Sequence, residues 1–184
     1  MSQSAQTVER DTRRWLERAI IGLNLCPFAK AVYVKQQIHF AVSAATNARQ
    51  LQADLAAQLD DLVALDPAVR ETTLLMAPDC LADFLDFNDF LGMADRLLRK
   101  RGLEGVIQLA SFHPHFRFAD TDETDITNFT NRSPYPTVHL LRESSIDRAV
   151  EAFPQAQTIY EANMRALRSL GETGWAALGV GPSA

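Results

Sequence analysis

The alternation of amphipathic helical segments with short apolar runs of β type most constrains the fold of this chain. Four leucines recur at helical spacing at positions 51, 55, 59 and 62, and a β-branched apolar run follows at residues 72–76. Such a run is typical of an inner strand, and segments that alternate in this way favour helices packed on a mixed sheet. The sequence therefore predicts a single α/β domain, with α+β as the alternative, whose mixed sheet has four or five strands.

The remaining elements follow from periodicity and from helix-capping residues. Helices are predicted over residues 8–23, from Thr46 to before Asp66, over 80–101, through about Phe153, and from Pro154 to Gly171. Strands are predicted over residues 31–34, 38–43, 106–112 and 137–141. Side-chain oxygens accept hydrogen bonds from the free amides of a first helical turn. The expected N-caps are therefore Thr46, Asp79, and Ser144 or Ser145, and Gly102 is the expected residue after the third helix.

Composition narrows the classes of partner. The 184 residues carry 18 basic and 23 acidic side chains, a net charge of −5 without a basic face, which argues against a nucleic-acid binder. No stretch approaches the roughly 20 apolar residues of a membrane span, and the first 14 residues are polar. Two isolated cysteines indicate reduced thiols, so a cytoplasmic protein is expected. We expect one domain over 1–184, with 1–12 and 172–184 loosely ordered.

A set of ordered motifs resembles one protein family. The motifs are WLERA (15–19), GLNLCPFA (22–29), ETTLL (71–75), DFNDFL (86–91), SFHP (111–114), TNFTNRSPYP (127–136), HLLRE (139–143) and SID (145–147). Together they are similar to the bacterial family catalogued as domain of unknown function 1415, over about residues 13–171. The resemblance implies no reaction, cofactor or catalytic residue, so the candidate chemistry rests on the residues themselves.

Cys26 is the first candidate for chemistry. Pro27 suits the first position of a helix, which would make Cys26 an N-cap, and unpaired amides there lower a thiol pKa. Lys30 and Lys35 lie close in sequence and would add positive charge. A cysteine is also often buried as a small apolar residue, and this structural interpretation is the favoured one.

The second candidate is the long aperiodic segment at residues 113–136, because loops of this length are often functional. His113 and His115 follow a strand and, with Asp120 or Asp122, would form a two-histidine, one-carboxylate metal site. The alternative, which we favour, is that His113 ends the strand and His115 is an ordinary loop residue.

The same segment carries a donor-rich turn suited to a phosphate or carboxylate. Its candidate binding residues are Asn128, Asn131, Arg132, Ser133 and Tyr135. Asparagine and serine also close turns by bonding their own backbone, so anion binding and turn formation stay equally open.

Two functions therefore remain. The first is an enzyme of hydrolase or transferase type that acts on an anionic small molecule beneath residues 113–136, using Cys26, His113 or His115. The second is a non-catalytic module that binds a metabolite or partner protein with the same loop. We slightly favour the enzyme, and convergence of a histidine or Cys26 with the polar loop residues in one concave site would distinguish the two.

Overall fold

The computed structural model describes residues 3–152 and 158–183. Within these residues one sheet is formed by β1 (Ile38–Val42), β2 (Thr72–Met76), β3 (Ile107–Phe112) and β4 (Thr137–Arg142). Its order is β1-β2-β4-β3, with β1 parallel to β2 and β4 antiparallel to both of its neighbours. The predicted mixed four- or five-stranded sheet is confirmed, and β2 is the inner, fully buried strand that its composition predicts.

Helices cover both faces of this sheet. They are α1 (Ala5–Trp15), which continues as a π-helical segment (Leu16–Ile21), α2 (Ala29–Val34), α3 (Ala48–Ala64), α4 (Phe84–Lys100), α5 (Glu143–Ala152) and α6 (Ile159–Ala177). A 3₁₀ helix (Ile126–Asn131) lies inside the segment that joins β3 to β4. Among the described residues, no helix has both the length and the apolar content needed to cross a bilayer.

Side-chain alternation along the strands produces two apolar cores. Leu75 and Leu140 point to one face, where the four leucines of α3 and the aromatic face of α4 bury them. Leu74 and Met76 point to the other face, where they meet α1, the π-helical segment and α6. The chain is therefore a three-layer α/β structure, because each strand alternates its residues between the two helical layers.

One predicted strand is wrong. Residues 31–34 belong to α2, and the amide of Lys35 donates to the carbonyl of Ala31 at 3.2 Å as in a helix. The valines there favour a strand only weakly, because β propensity depends on neighbours. The preceding Ala29 and Lys30 are good helix formers, and they decide the conformation after Pro27.

Three predicted helix starts also move. The N-cap of α3 is Asn47 rather than Thr46, and its side chain accepts from the amide of Gln50 at 3.0 Å. Asp83 rather than Asp79 caps α4, because Leu81 between them has a φ of 56° and cannot continue a helix. Neither Ser144 nor Ser145 caps α5, because β4 runs straight into it: the Glu143 amide donates to the Val106 carbonyl at 3.0 Å.

The last helix bends where the sequence predicts its end. Gly171 has φ 66° and ψ 174°, so α6 breaks there and resumes as a short helical piece that carries Trp175. The predicted boundaries at Phe153 and Pro154 lie outside the described residues. Gly102 has the left-handed φ of 65° expected after a helix. The loose order expected of residues 1–12 and 172–184 stays a prediction.

The two ends of the described chain meet at one buried carboxylate. Asp11 of α1 is fully buried and accepts hydrogen bonds from the Ser183 amide at 2.7 Å, the Ser183 hydroxyl at 2.6 Å and the Tyr135 hydroxyl at 2.9 Å. Arg14 lies 3.1 Å from the same carboxylate. These contacts hold the C-terminal segment against α1 and against the loop that leads into β4.

Candidate functional site

The segment between β3 and β4 folds back on the body of the protein and is closed by its own polar side chains. Asn128 is fully buried, and its side-chain oxygen accepts from the Phe118 amide at 3.0 Å and from the Thr121 hydroxyl at 2.7 Å. Its amide nitrogen donates to the Asp122 carbonyl at 2.8 Å. Asn128 therefore builds the turn, because its acceptor and one of its two donors serve the loop itself.

The neighbouring candidates Asn131, Ser133 and Tyr135 are also bonded within the protein. The Asn131 side chain donates to the Ser111 carbonyl at 3.1 Å, and the Ser133 hydroxyl donates to the Tyr135 carbonyl at 2.6 Å. The Tyr135 hydroxyl donates to Asp11, and burial together with that carboxylate raises the pKa of Tyr135. These side chains hold the loop to β3 and to α1.

His113 lies in the interior, between the rings of Phe84 and Phe87, with centroid distances of 5.4 Å and 5.1 Å. Its Nδ1 accepts from the backbone amide of His115 at 3.0 Å, so the proton of the neutral ring is on Nε2. That Nε2–H donates to the Leu81 carbonyl at 3.0 Å, and burial lowers the pKa of His113. Both ring nitrogens are therefore used in holding the loop to the start of α4.

The histidine metal site, which was the less favoured interpretation of the sequence, does not assemble. His115 is exposed, its ring centroid lies 5.9 Å from that of His113, and the inner ring has no free lone pair to offer. Asp122 instead accepts from the amide and hydroxyl of Thr124 at 2.9 Å and 2.8 Å. Within residues 3–152 and 158–183, no group of three histidine, cysteine or acidic side chains is placed to hold a metal ion.

Cys26 is not an N-cap. Helix α2 begins two residues beyond Pro27, its N-cap is Phe28, and the Cys26 carbonyl accepts from the Ala29 amide at 3.2 Å. The side chain is half-buried and packs against the apolar core that contains Trp15 and Leu167. The N-cap geometry predicted for Cys26 is thus not formed, since the residue in the capping position is Phe28.

A small aromatic pocket lies where this loop meets the end of α1 and the C-terminal segment. The pocket has a volume of about 170 Å³ and is lined by Trp15, Pro114, Phe129, Arg132, Ser133, Pro134, Trp175, Val180, Gly181 and Pro182. Phe129 and Trp175 meet edge to face with centroids 5.1 Å apart. The indole nitrogen of Trp15 donates to the Arg132 carbonyl at 2.8 Å and so fixes the loop over α1. We call this the aromatic pocket.

Arg132 supplies the charge of the aromatic pocket. Its guanidinium carbon lies 4.2 Å from the centre of the Phe129 ring, and its Nε and Nη2 donate to the carbonyls of Phe116 at 3.3 Å and Glu123 at 2.8 Å. Burial lowers the pKa of Arg132, whereas the more distant carboxylates of Glu123 and Glu172 oppose that shift. The side chain is held in place and still has N–H donors on Nη1 that bind no described residue.

The C-terminal segment forms the outer wall of the aromatic pocket. Arg18 donates to the Leu178 carbonyl at 2.9 Å, and Arg14 donates to the Gly181 carbonyl at 2.8 Å. The break at Gly171 directs the last helical piece so that Trp175 reaches the loop. Side chains of α1 and of the π-helical segment therefore attach this wall to the body of the protein.

A larger open groove of about 300 Å³ lies at the other end of the sheet. It is lined by Ala31, Val32, Lys35, Gln37, Pro67, Ala68, Glu71 and Arg148. Arg148 there is paired with Glu71 at 3.2 Å, and no aromatic side chain lines the groove. Two of the three charges in the groove are thus paired with each other, and the groove has no aromatic wall, so the smaller aromatic pocket is the better candidate for a ligand.

Sequence reasoning identified Arg132 and Ser133 as candidate ligand-binding residues, and both line the aromatic pocket. It did not identify Trp15 and Trp175, which lie 160 positions apart, the first in a predicted helix and the second in the segment 172–184 that was expected to be loosely ordered. Both of the tryptophans of this chain line one pocket. Their rarity is the one signal in the sequence that could have indicated it.

Comparison with known proteins places the chain in a family. The family described as "Protein of unknown function (DUF1415)" matches residues 7–177 of the 184, and the chain belongs to it. The resemblance carried by the sequence motifs is confirmed. No curated protein and no solved structure matches the chain.

Proposed function

We propose that this protein is a non-catalytic binding module whose aromatic pocket takes a flat apolar ring that carries an anionic group. The observation that carries the proposal is that Arg132, whose guanidinium stacks on the Phe129 ring, lines one cavity together with Phe129, Trp15 and Trp175. Aromatic walls with one placed charged group are typical of small-molecule sites.

The size of the pocket supports a ring-sized group. Pockets for whole drug-sized ligands measure roughly 300–1,000 Å³, whereas this cavity measures about 170 Å³. A single ring is the size of group that this cavity can hold beside the contacting rings of Phe129 and Trp175, and the rest of a larger ligand would extend past Pro182 into solvent. The same dimensions suit an aryl metabolite.

The electrostatics of Arg132 support an anionic partner. No carboxylate of the described residues lies within ion-pair distance of this guanidinium, although burial removes part of its hydration. A half-buried arginine with free donors favours a bidentate oxyanion such as a phosphate or carboxylate. The ring and the anion would therefore be bound by adjacent groups.

The lining of the pocket supports a module rather than an enzyme. None of the ten lining residues carries an imidazole, thiol or carboxylate, and the Ser133 hydroxyl already donates to a backbone carbonyl. His113 is turned into the interior, and Cys26 lies outside the lining. The convergence of proton-transferring groups that would favour an enzyme is thus not met, so the alternative function is the one proposed.

The test is a titration followed by tryptophan fluorescence, because both tryptophans line the pocket. The probes are phenyl phosphate, which carries both groups, phenol, which carries the ring alone, and inorganic phosphate. We expect saturable quenching with phenyl phosphate at a lower dissociation constant than with either fragment. Charged hydrogen bonds contribute roughly 1.5–3 kcal/mol, so Arg132→Gln should weaken phenyl phosphate about 10- to 100-fold.

The matched control is Arg13→Gln. Arg13 also lies over an aromatic ring, 3.9 Å from the centre of Phe40, and is outside the pocket. The control should bind phenyl phosphate like the wild type. The proposal fails if phenyl phosphate gives no saturable change, or if both arginine variants bind it equally well while thermal melting shows that both are folded.

A further inference from the structure

Residues 178–183, which we call the strap, are held to the rest of the protein by side chains rather than by backbone pairing. The last backbone–backbone hydrogen bond in this part of the chain runs from the Gly179 amide to the Ala176 carbonyl at 3.1 Å. Beyond it, no amide or carbonyl of residues 180–183 bonds to another backbone group of the described residues. Most of the strap therefore belongs neither to a helix nor to the sheet.

The bonds that hold the strap end on α1 and on the residue before its cap. Asp11 accepts from both the amide and the hydroxyl of Ser183, at 2.7 Å and 2.6 Å. Arg14 donates to the Gly181 carbonyl at 2.8 Å, and Gln3 donates to the Ser183 carbonyl at 2.8 Å. The pair formed by Asp11 and Ser183 carries two of these four bonds, and we call it the latch.

The closed strap is only lightly packed. Val180 is its one buried residue, whereas Gly181 and Pro182 are exposed. Gly179 has a left-handed φ of 59°, and a Cβ at Gly181 would meet no atom within 4 Å. The Nε of Arg14 is buried beneath the strap bond without a hydrogen-bond partner among the described residues, which costs the closed state free energy. Few buried contacts of this kind are typical of a segment that opens locally.

The strap is also one wall of the aromatic pocket. Three of the ten lining residues belong to it, Val180, Gly181 and Pro182. With the strap in place the cavity measures about 170 Å³. A cavity of about 150 Å³ holds benzene, so the closed pocket has room for one ring. A fused pair of rings requires the strap to move away from Trp15 and Trp175.

We infer that the strap is a gate that sets the size of the aryl anion accepted by the aromatic pocket. When closed, it admits a single ring. When open, it exposes Trp15 and Trp175 to a fused aryl anion such as naphthyl phosphate. Gly179 is the hinge, because a few residues at the end of an element absorb the change of φ and ψ in such motions. This inference rests on the proposed function, since it concerns ligands of the same pocket.

A gate of this kind makes two ligands respond differently when the latch is weakened. The affinity of a ligand that needs the open state is reduced by the fraction of molecules that are open. A hydrogen bond to a charged group contributes about tenfold or more to an equilibrium constant, so Ser183→Ala should raise the open fraction about tenfold. The variant should therefore bind naphthyl phosphate about tenfold more tightly. Phenyl phosphate uses the closed pocket and should bind no more tightly than it does to the wild type.

The two ligands are compared by isothermal titration calorimetry, because the naphthyl group itself fluoresces. Ser43→Ala is the matched control: the Ser43 hydroxyl also donates to a carboxylate, that of Asp54 at 2.5 Å, and lies outside the pocket and the strap. This control should bind both ligands like the wild type. Naphthyl phosphate bound by Ser183→Ala as weakly as by the wild type, or more weakly, would overturn the gate.

Hydrogen exchange without ligand tests the gate separately from the proposed function. In Ser183→Ala the protection factor of the amide of residue 183 should fall about tenfold, because each opening releases that amide from Asp11. The Ala77 amide, which donates to the Pro136 carbonyl at 2.8 Å, is the internal control and should not change. Equal protection at residue 183 in both proteins would overturn the gate. If phenyl phosphate does not bind the wild type, the proposed function fails, and the exchange rates alone decide whether the strap opens.

Discussion

Replacing Asp11 by asparagine tests how strongly the two chain ends are joined. Four donors converge on this fully buried carboxylate: the Ser183 amide, the Ser183 hydroxyl, the Tyr135 hydroxyl and the Arg14 guanidinium. Asparagine has one acceptor oxygen and turns an NH₂ group toward the remaining donors. At least two donors then lose their acceptor, at about 1–3 kcal/mol each for buried groups. We expect Asp11→Asn to lower the free energy of unfolding by about 3 kcal/mol.

The assay is urea denaturation, in which the midpoint should fall while its slope with denaturant stays unchanged. Asp54→Asn is the control, because the half-buried Asp54 carboxylate accepts one hydrogen bond, from the Ser43 hydroxyl at 2.5 Å. Its expected loss is about 1 kcal/mol. A loss for Asp11→Asn no larger than that of the control would refute the argument.

The pH dependence of the free energy of unfolding, compared between the wild type and Asp11→Asn, adds a second check. Burial alone would raise the pKa of Asp11, but the hydrogen bonds from Ser183 and Tyr135 and the charge of Arg14 outweigh it and lower the pKa. A lowered carboxyl pKa stabilises the folded state above the unfolded value of about 3.9 and ceases to do so as the pH falls through the folded value. The difference between wild type and Asp11→Asn should therefore shrink only below about pH 4.

Three further predictions concern the buried histidines and Cys26. His113→Ala should lower the free energy of unfolding by about 3 kcal/mol, because the Leu81 carbonyl loses its hydrogen-bond donor. The affinity for phenyl phosphate should stay unchanged. Weaker binding by a fully folded variant would contradict this prediction. Burial lowers the pKa of His139 to about 4, so the free energy of unfolding measured in urea should fall by up to about 3 kcal/mol between pH 6.5 and pH 4. His139→Gln should lose less stability than the wild type over this range. An equal loss in the two proteins would show that His139 is not the group responsible. Cys26→Ser should bind phenyl phosphate like the wild type in the fluorescence titration, and a large loss would return Cys26 to the site.

The sequence predicted helices and strands correctly where burial of an apolar face alone decides the conformation. The leucine stripe of α3 and the β2 strand were both foreseen, because each buries a continuous apolar face. The strand predicted at residues 31–34 was wrong because its two valines favour a strand only weakly and the preceding helix formers Ala29 and Lys30 decide the conformation. The start of α4 was wrong because two aspartates compete as caps and only the φ of Leu81 excludes the first.

The candidate site was predicted in part, for a definable reason. Asparagine and serine side chains serve turns and ligands equally well, so Asn128 and Ser133 could not be assigned from their types. Their hydrogen bonds show that they build the loop. The contact of Trp175 with Phe129 depends on the break at Gly171 and on the attachment of the C-terminal segment to α1. No local pattern in the sequence predicts that contact.

The aromatic pocket is most directly tested by following its two indole N–H signals in a nitrogen–proton correlation spectrum while phenyl phosphate is added. The Trp175 indole nitrogen bonds to no described residue, whereas that of Trp15 is held by the Arg132 carbonyl at 2.8 Å. The Trp175 signal should shift progressively to saturation, the Trp15 signal should shift less, and Arg132→Gln should abolish both changes at the same ligand concentration. Indole signals that stay in place up to millimolar phenyl phosphate would contradict the account.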